Sequence, residues 1–158
     1  MFSIDPEGRI KTNDRYRGTV WAPGKTHPDA LELIERWKAM SKLAQAVDPN
    51  LFQVTAGIDY DEVSARIRFA VPHESWKTAN RVDKDVRQLW NDLVDMGWTS
   101  TQLDAEFAWD EPVDSTWTLS FVAMGDSKIF DFEPAMQYAA KAVRSTRLEE
   151  YLVDSSKP

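Results

Sequence analysis

The sequence predicts a two-layer α+β domain in which helices pack on one face of an antiparallel sheet of four or five strands, in the order helix-hairpin-helix-hairpin-helix. Two observations carry this. Paired segments within 51–71 and 103–123 alternate apolar and polar residues with the period of two that a half-buried strand requires. Three other segments repeat apolar residues at three- and four-residue spacing, the mark of a helix with one buried stripe.

The N-terminal stretch is rich in turn formers, Asp5-Pro6-Glu7-Gly8, Gly18 and Pro23-Gly24, so residues 1–27 read as an irregular arm with one short strand around Gly18 to Trp21. A single domain is expected over 28–153, a length that buries a core without metal or disulfide support, and 154–158 reads as a frayed tail. Pro28-Asp29 opens the first helix, with Leu33, Ile34, Trp37, Leu43, Ala44 and Val47 on its apolar side, and Asp48-Pro49-Asn50 stops it. Phe52, Val54, Ala56, Ile58 and Tyr60 then point one way along a strand. After Asp61-Glu62 the residues Val63, Ala65, Ile67, Phe69 and Val71 do the same on its hairpin partner.

Ser75 is the expected cap of the longest helix, which carries Ala79, Val82, Val86, Leu89, Trp90 and Leu93 and ends at Met96-Gly97. The second hairpin sets Leu103, Ala105, Phe107 and Trp109 beside Trp117, Leu119, Phe121 and Ala123, joined through Glu111-Pro112-Val113-Asp114. The last helix is expected to be capped by Asp131, with Pro134 in its first turn. The two helix-hairpin units lie about 50 residues apart and share a Val-Asp helix end and an aromatic-acid-acid corner, Tyr60-Asp61-Glu62 and Trp109-Asp110-Glu111. Duplication accounts for this, as do the shared requirements of capped helices and acidic turns.

Composition narrows the function classes. Hydrophobic residues make up 42% and charged residues 28%, ordinary globular usage. There is no cysteine, which removes disulfides, thiol nucleophiles, thiolate zinc sites and iron-sulfur clusters together. No apolar run is long enough to span a bilayer and the first ten residues show no signal-peptide core, so a cytoplasmic location without membrane partners is expected. A net charge of -7 argues against direct nucleic-acid binding, which needs a basic stripe to release counterions. Nucleotide and hydrolase signatures, a Gly-x-Ser-x-Gly elbow among them, are missing. With His27 and His73 as the only imidazoles, a three-histidine metal site is excluded. No cofactor or metal is expected.

His73 reads either as a surface residue at a strand-to-helix junction or as a general base. Among the seven tryptophans, Trp37, Trp90, Trp109 and Trp117 fall on apolar faces, while Trp21, Trp76 and Trp98 sit at element edges and are the better interface candidates. Arg66 and Arg68 are expected on the polar face of their strand and Asp104 and Glu106 on that of theirs, where cross-strand ion pairing is the simplest account.

Charge is uneven along the chain, and residues 101–134 set Asp104, Glu106, Asp110, Glu111, Asp114, Asp126, Asp131 and Glu133 against Lys128 alone. Such a segment is either a solvated face that keeps the chain soluble or the contact surface for a basic partner. The leading expectation is a non-enzymatic module, monomer or homodimer, that occupies a basic or nucleic-acid-binding site on another protein. Its contact residues would be Asp59, Asp61, Glu62, Asp104, Glu106, Asp110, Glu111 and Asp114. In size, charge and poverty of motifs the chain resembles bacterial immunity proteins and phage-encoded inhibitors. In element order it is similar to the dimeric type III secretion chaperones, which implies a dimeric adaptor as a second reading. A small-ligand binder or enzyme, with its site where helices meet sheet, is the third.

Overall fold

Antiparallel pairing joins all the described strands. A computed structural model describes residues 2–4, 10–12, 28–57, 61–73, 76–108 and 113–153. Its strands are β1 (Phe2–Ile4), β2 (Ile10–Thr12), β3 (Gln53–Gly57), β4 (Glu62–Val71), β5 (Thr101–Glu106) and β6 (Ser115–Ala123), and its helices are α1 (Pro28–Val47), α2 (Trp76–Asp95) and α3 (Glu133–Arg144). They form one sheet in the order β2-β1-β3-β4-β6-β5. The expected α+β order of helices and hairpins is present, with four central strands as read from the alternation.

The other two strands correct the reading of the arm. β1 and β2 pair with each other, and β1 joins β3 through Ser3↔Gly57 and Ile4↔Ala56. Turn formers dominate the stretch as a whole, but two three-residue runs suffice to cover the edge that β3 would otherwise leave unpaired. The strand expected around Gly18 to Trp21 lies outside the described residues.

The core lies between sheet and helices. Val63, Ala65, Ile67, Phe69 and Val71 of β4 and Trp117, Leu119, Phe121 and Ala123 of β6 are all 0% exposed. Both strands are central, so their inward residues are covered by neighbouring strands as well as by helices. Leu33, Met40, Leu43 and Ala44 of α1, Ala79, Val82, Val86, Leu89 and Leu93 of α2, and Ala135, Met136, Ala139 and Val143 of α3 close over them. These are the residues that fall on one stripe of a 3.6-residue turn. Gly97, with φ +97°, ends α2 in the left-handed conformation that glycine tolerates. At α3 the expected cap is corrected: Asp131 lies inside a 3-10 turn, Ile129–Phe132, that runs directly into the helix. The Glu133 N–H donates to Phe130 O within that turn, and Phe132 stands at the cap position without a side-chain bond.

The two helix-hairpin halves are arranged about an approximate two-fold axis normal to the sheet. Their second strands, β4 and β6, pair at the centre from Val63↔Ala123 to Val71↔Ser115, and their first strands, β3 and β5, flank them. α1 packs on β3 and β4 while α2 packs on β5 and β6. Each helix also anchors its own first strand by an indole. Trp37 Nε1 donates to Val54 O at 3.0 Å, and Trp90 Nε1 to Thr101 O at 3.2 Å. β3 begins at Gln53, opposite Arg66, and leaves the rest of that flank of β4 free. The C-terminal segment reaches it instead: Leu152 bridges Phe69, and Val153 N–H donates to Arg68 O at 2.9 Å.

Candidate functional site

The helices cover one face of the sheet, so every side chain of opposite parity on β4, β6 and β5 is left on the other. That open face carries Glu62, Ser64, Arg66 and Arg68 on β4, Thr116, Thr118, Ser120 and Val122 on β6, and Gln102, Asp104 and Glu106 on β5. Most of these residues line a concavity of about 550 Å³. Its floor is the small residues: Ser64, Ser120 and Val122 are buried, whereas Gln102, Asp104 and Glu106 are exposed.

The register shows why the expected cross-strand ion pairs do not form. Arg66 lies opposite Ser120 and Arg68 opposite Thr118, while Asp104 lies opposite Thr118 from the other side and Glu106 opposite Thr116. β6 therefore stands between the arginines and the acids, and two strand spacings put the backbones about 10 Å apart. Among the described residues, no ion pair or side-chain hydrogen bond engages Glu62, Arg66, Arg68, Asp104 or Glu106. The face thus holds a cationic row and an anionic row on either side of a hydroxyl-bearing strand, neither row neutralised by the other.

The described acids of the two corners do not form one patch. Asp61 stands at the start of β4 and Asp114 at the start of β6, and the two strands run antiparallel, so these acids fall at opposite ends of the sheet. The ten residues of β4 separate those ends by about 30 Å. Asp104, Glu106 and Asp114 belong to one end: Asp114 is exposed and directly precedes β6, two positions before the Thr116 that faces Glu106. Asp61 and Glu62 belong to the other. Asp59, Asp110 and Glu111 lie outside the described residues, as does Trp109.

Asp61 is committed within the chain. Its carboxylate accepts from Arg36 Nη1 at 2.7 Å, and Arg36 Nη2 donates to Ala123 O at 3.0 Å. One α1 guanidinium therefore ties the start of β4 to the end of β6. Asp61 adopts φ +47°, and a side chain at Gly125 would overlap its carboxylate. The sequence places Asp61 among contact residues; its side chain remains 65% exposed while it also serves as this clamp.

A second concavity of about 650 Å³ lies between α2 and the chain after α3, lined by Asp85, Gln88, Asp92, Ser145, Arg147 and Glu150 among others. Gln88 Nε2 donates to Asp92 at 2.8 Å, and the Tyr138 hydroxyl donates to Asp92 at 3.4 Å. Desolvation, with the Asp92 charge added, holds the Tyr138 phenol above its ordinary pKa. Neither concavity is lined by His73, which is half-buried and has an interaction partner. Among the described residues no cluster of three or more His, Asp or Glu is placed to hold a metal ion, and no helix is long and apolar enough to cross a membrane.

Of the tryptophans expected at an interface, Trp98 is half-buried and packs against the core through Phe132, at 6.0 Å between ring centres. Trp76 is exposed, with Lys77 Nζ 5.8 Å from its ring centre, and Trp21 lies outside the described residues. The arginine row is what charge counting missed. In an acidic chain two arginines vanish from the balance, although their i, i+2 spacing on an alternating strand was enough to place them on one face. No protein-family model, curated protein or solved structure matches this chain.

Proposed function

We propose that the chain is a protein-binding module that docks its partner on the open face of the sheet. The observation that carries this reading is the unneutralised charge of that face: exposed carboxylates on β5 and half-buried arginines on β4, with no partner among the described residues. Each such group is carried on a regular strand, so its backbone position is already fixed when a partner arrives and only the side chain remains to be ordered. Asp104, Glu106 and Asp114 give the face an acidic end, which favours a partner with basic groups opposite them. A module of this kind occupies a basic or nucleic-acid-binding surface on the protein it meets, the inhibitor class expected from the charge of the sequence.

The test is affinity capture on the immobilised chain from a lysate of its native host, at low and moderate salt, with wild type beside the triple variant Asp104→Lys, Glu106→Lys, Asp114→Lys. A basic protein retained by wild type, released by salt and lost from the variant supports the reading. Retention of the same protein at equal strength by the variant refutes it.

A further inference from the structure

The open face is complementary to itself. Viewed along β6, Arg66 and Arg68 form a positive row on one side, Asp104 and Glu106 a negative row on the other, and Thr116, Thr118 and Ser120 the neutral line between them. Rotation by 180° about an axis lying over β6 and parallel to it exchanges the two sides while keeping each residue at its level along the strand. β4 of one copy then faces β5 of the other. Arg68 meets Asp104, because both are opposite Thr118; Arg66 meets Gln102, because both are opposite Ser120; and Thr118 meets its own counterpart on the axis. An axis perpendicular to the strands instead sets arginine on arginine, so charge selects the first arrangement.

We infer that a second copy of this chain occupies the open face, forming a two-fold dimer in which the Arg66 and Arg68 row of each copy lies over the Asp104 and Glu106 row of the other. The inference rests on the reading of this face as a protein-docking surface and adds a second copy as occupant, which a basic partner must displace. The chain is acidic as a whole, yet the basic groups that its acidic row requires are present on the same face. An isologous contact of this type makes the Arg68–Asp104 pair twice, once on each side of the axis, with Arg66 and Glu106 each one same-face strand position away from it. Two sheets aligned in this way stand about 10 Å apart, within reach of an arginine on one and a carboxylate on the other. The small residues along β6 leave room for the sheets to approach.

The test uses light scattering and sedimentation of the full chain over a range of protein concentrations, with two variants: Arg66→Glu with Arg68→Glu, and Asp104→Lys with Glu106→Lys. All four positions are on the solvent face of the sheet, and circular dichroism checks that the variants keep the fold. Wild type is expected to be a dimer and each variant a monomer, with at least a tenfold weakening of self-association. An equimolar mixture of the two is expected to recover a dimer holding one of each, since an all-acidic face then meets an all-basic one. The chain has no cysteine, so Thr118→Cys provides a single thiol at the axis, and a short bis-maleimide should join two copies efficiently there but not through Lys84→Cys on α2.

Wild type that stays monomeric at hundred-micromolar concentration overturns the inference, as does a dimer indifferent to both reversals. A monomer that still captures a basic protein through Asp104 and Glu106 would refute self-pairing while leaving the docking reading intact. Wild type that neither self-associates nor captures a basic protein refutes both.

Discussion

Trp117 offers the sharpest test of the packing, because its buried polar atom has one partner. The ring is fully buried on β6, and its Nε1 donates to Asp83 Oδ1 of α2 at 2.8 Å. Arg87, one turn further along α2, holds the same carboxylate from Nε at 3.0 Å to each oxygen. Asp83→Ala removes the acceptor and leaves an indole N–H buried against the core, a loss worth about 1–3 kcal/mol. The exposed Asp83–Arg87 pair adds about 0.3–0.5 kcal/mol. Since the Asp83 side chain is 22% exposed, water can reach part of the vacated space, which favours a total of about 2 kcal/mol. For a chain of this length that corresponds to a fall in Tm of roughly 4–8 °C. Asp83→Asn keeps an acceptor and should cost about half as much, and Arg87→Ala no more than about 0.5 kcal/mol. The assay is urea unfolding followed by circular dichroism, run as a double-mutant cycle with Trp117→Phe. A coupling energy of about 1–2 kcal/mol is expected between positions 83 and 117. If Asp83→Ala unfolds within about 0.5 kcal/mol of wild type and the coupling is nil, the indole does not depend on Asp83 and the assigned anchor of α2 on the sheet is wrong.

Three further outcomes follow from the same contacts. Gly125→Ala should push the Asp61 carboxylate off Arg36 and cost about 1–2 kcal/mol. In an Asp61→Gly background, where the positive φ is also better tolerated, the added cost should shrink, and equal costs in both backgrounds would show that the overlap is not the cause. Asp48 is held below the ordinary carboxylate pKa, first by the Arg144 guanidinium that binds both its oxygens at 2.9 and 3.1 Å and then by the Asn50 N–H, against an opposing effect of burial. A depressed folded-state pKa gives stability that is complete above the unfolded value, about 3.9, and lost as pH falls through the folded one. Asp48→Asn should therefore flatten the acid limb of unfolding free energy between about pH 5 and 2, and an unchanged limb would remove Asp48 as its source. Trp98→Ala should cost at least about 2 kcal/mol, whereas Trp76→Ala should change stability by no more than about 0.5 kcal/mol, as thermal unfolding of the two variants would show.

Local periodicity made most of the fold legible. The alternation of Val63 to Val71 and of Trp117 to Ala123 identified inward residues that are fully buried, and the helical stripe of α2 was read down to its terminal Gly97. What periodicity does not encode is which strands become neighbours. β1 and β2 are short runs that gain stability only by completing a sheet edge, so nothing within residues 1–27 distinguishes them from irregular chain. Asp131 has the composition of a cap, but the turn continuous with α3 supplies the bond a cap would make.

The candidate site depended on that missing information. Asp104 and Glu106 were placed correctly on a polar face by alternation alone, yet the meaning of the face changes with the strand inserted beside them. Had β4 paired with β5, Arg68 and Asp104 would neutralise each other and the surface would be an ordinary exposed sheet. Because β6 pairs with both, the two rows are held about 10 Å apart at the backbone, with no ion pair between them among the described residues. The same antiparallel pairing carries Asp61 and Glu62 to the far end, where Arg36 already holds Asp61. Charge counting therefore finds an acidic surface and stops there, whereas the register turns it into two opposed rows, and it is on those rows that the proposed docking rests.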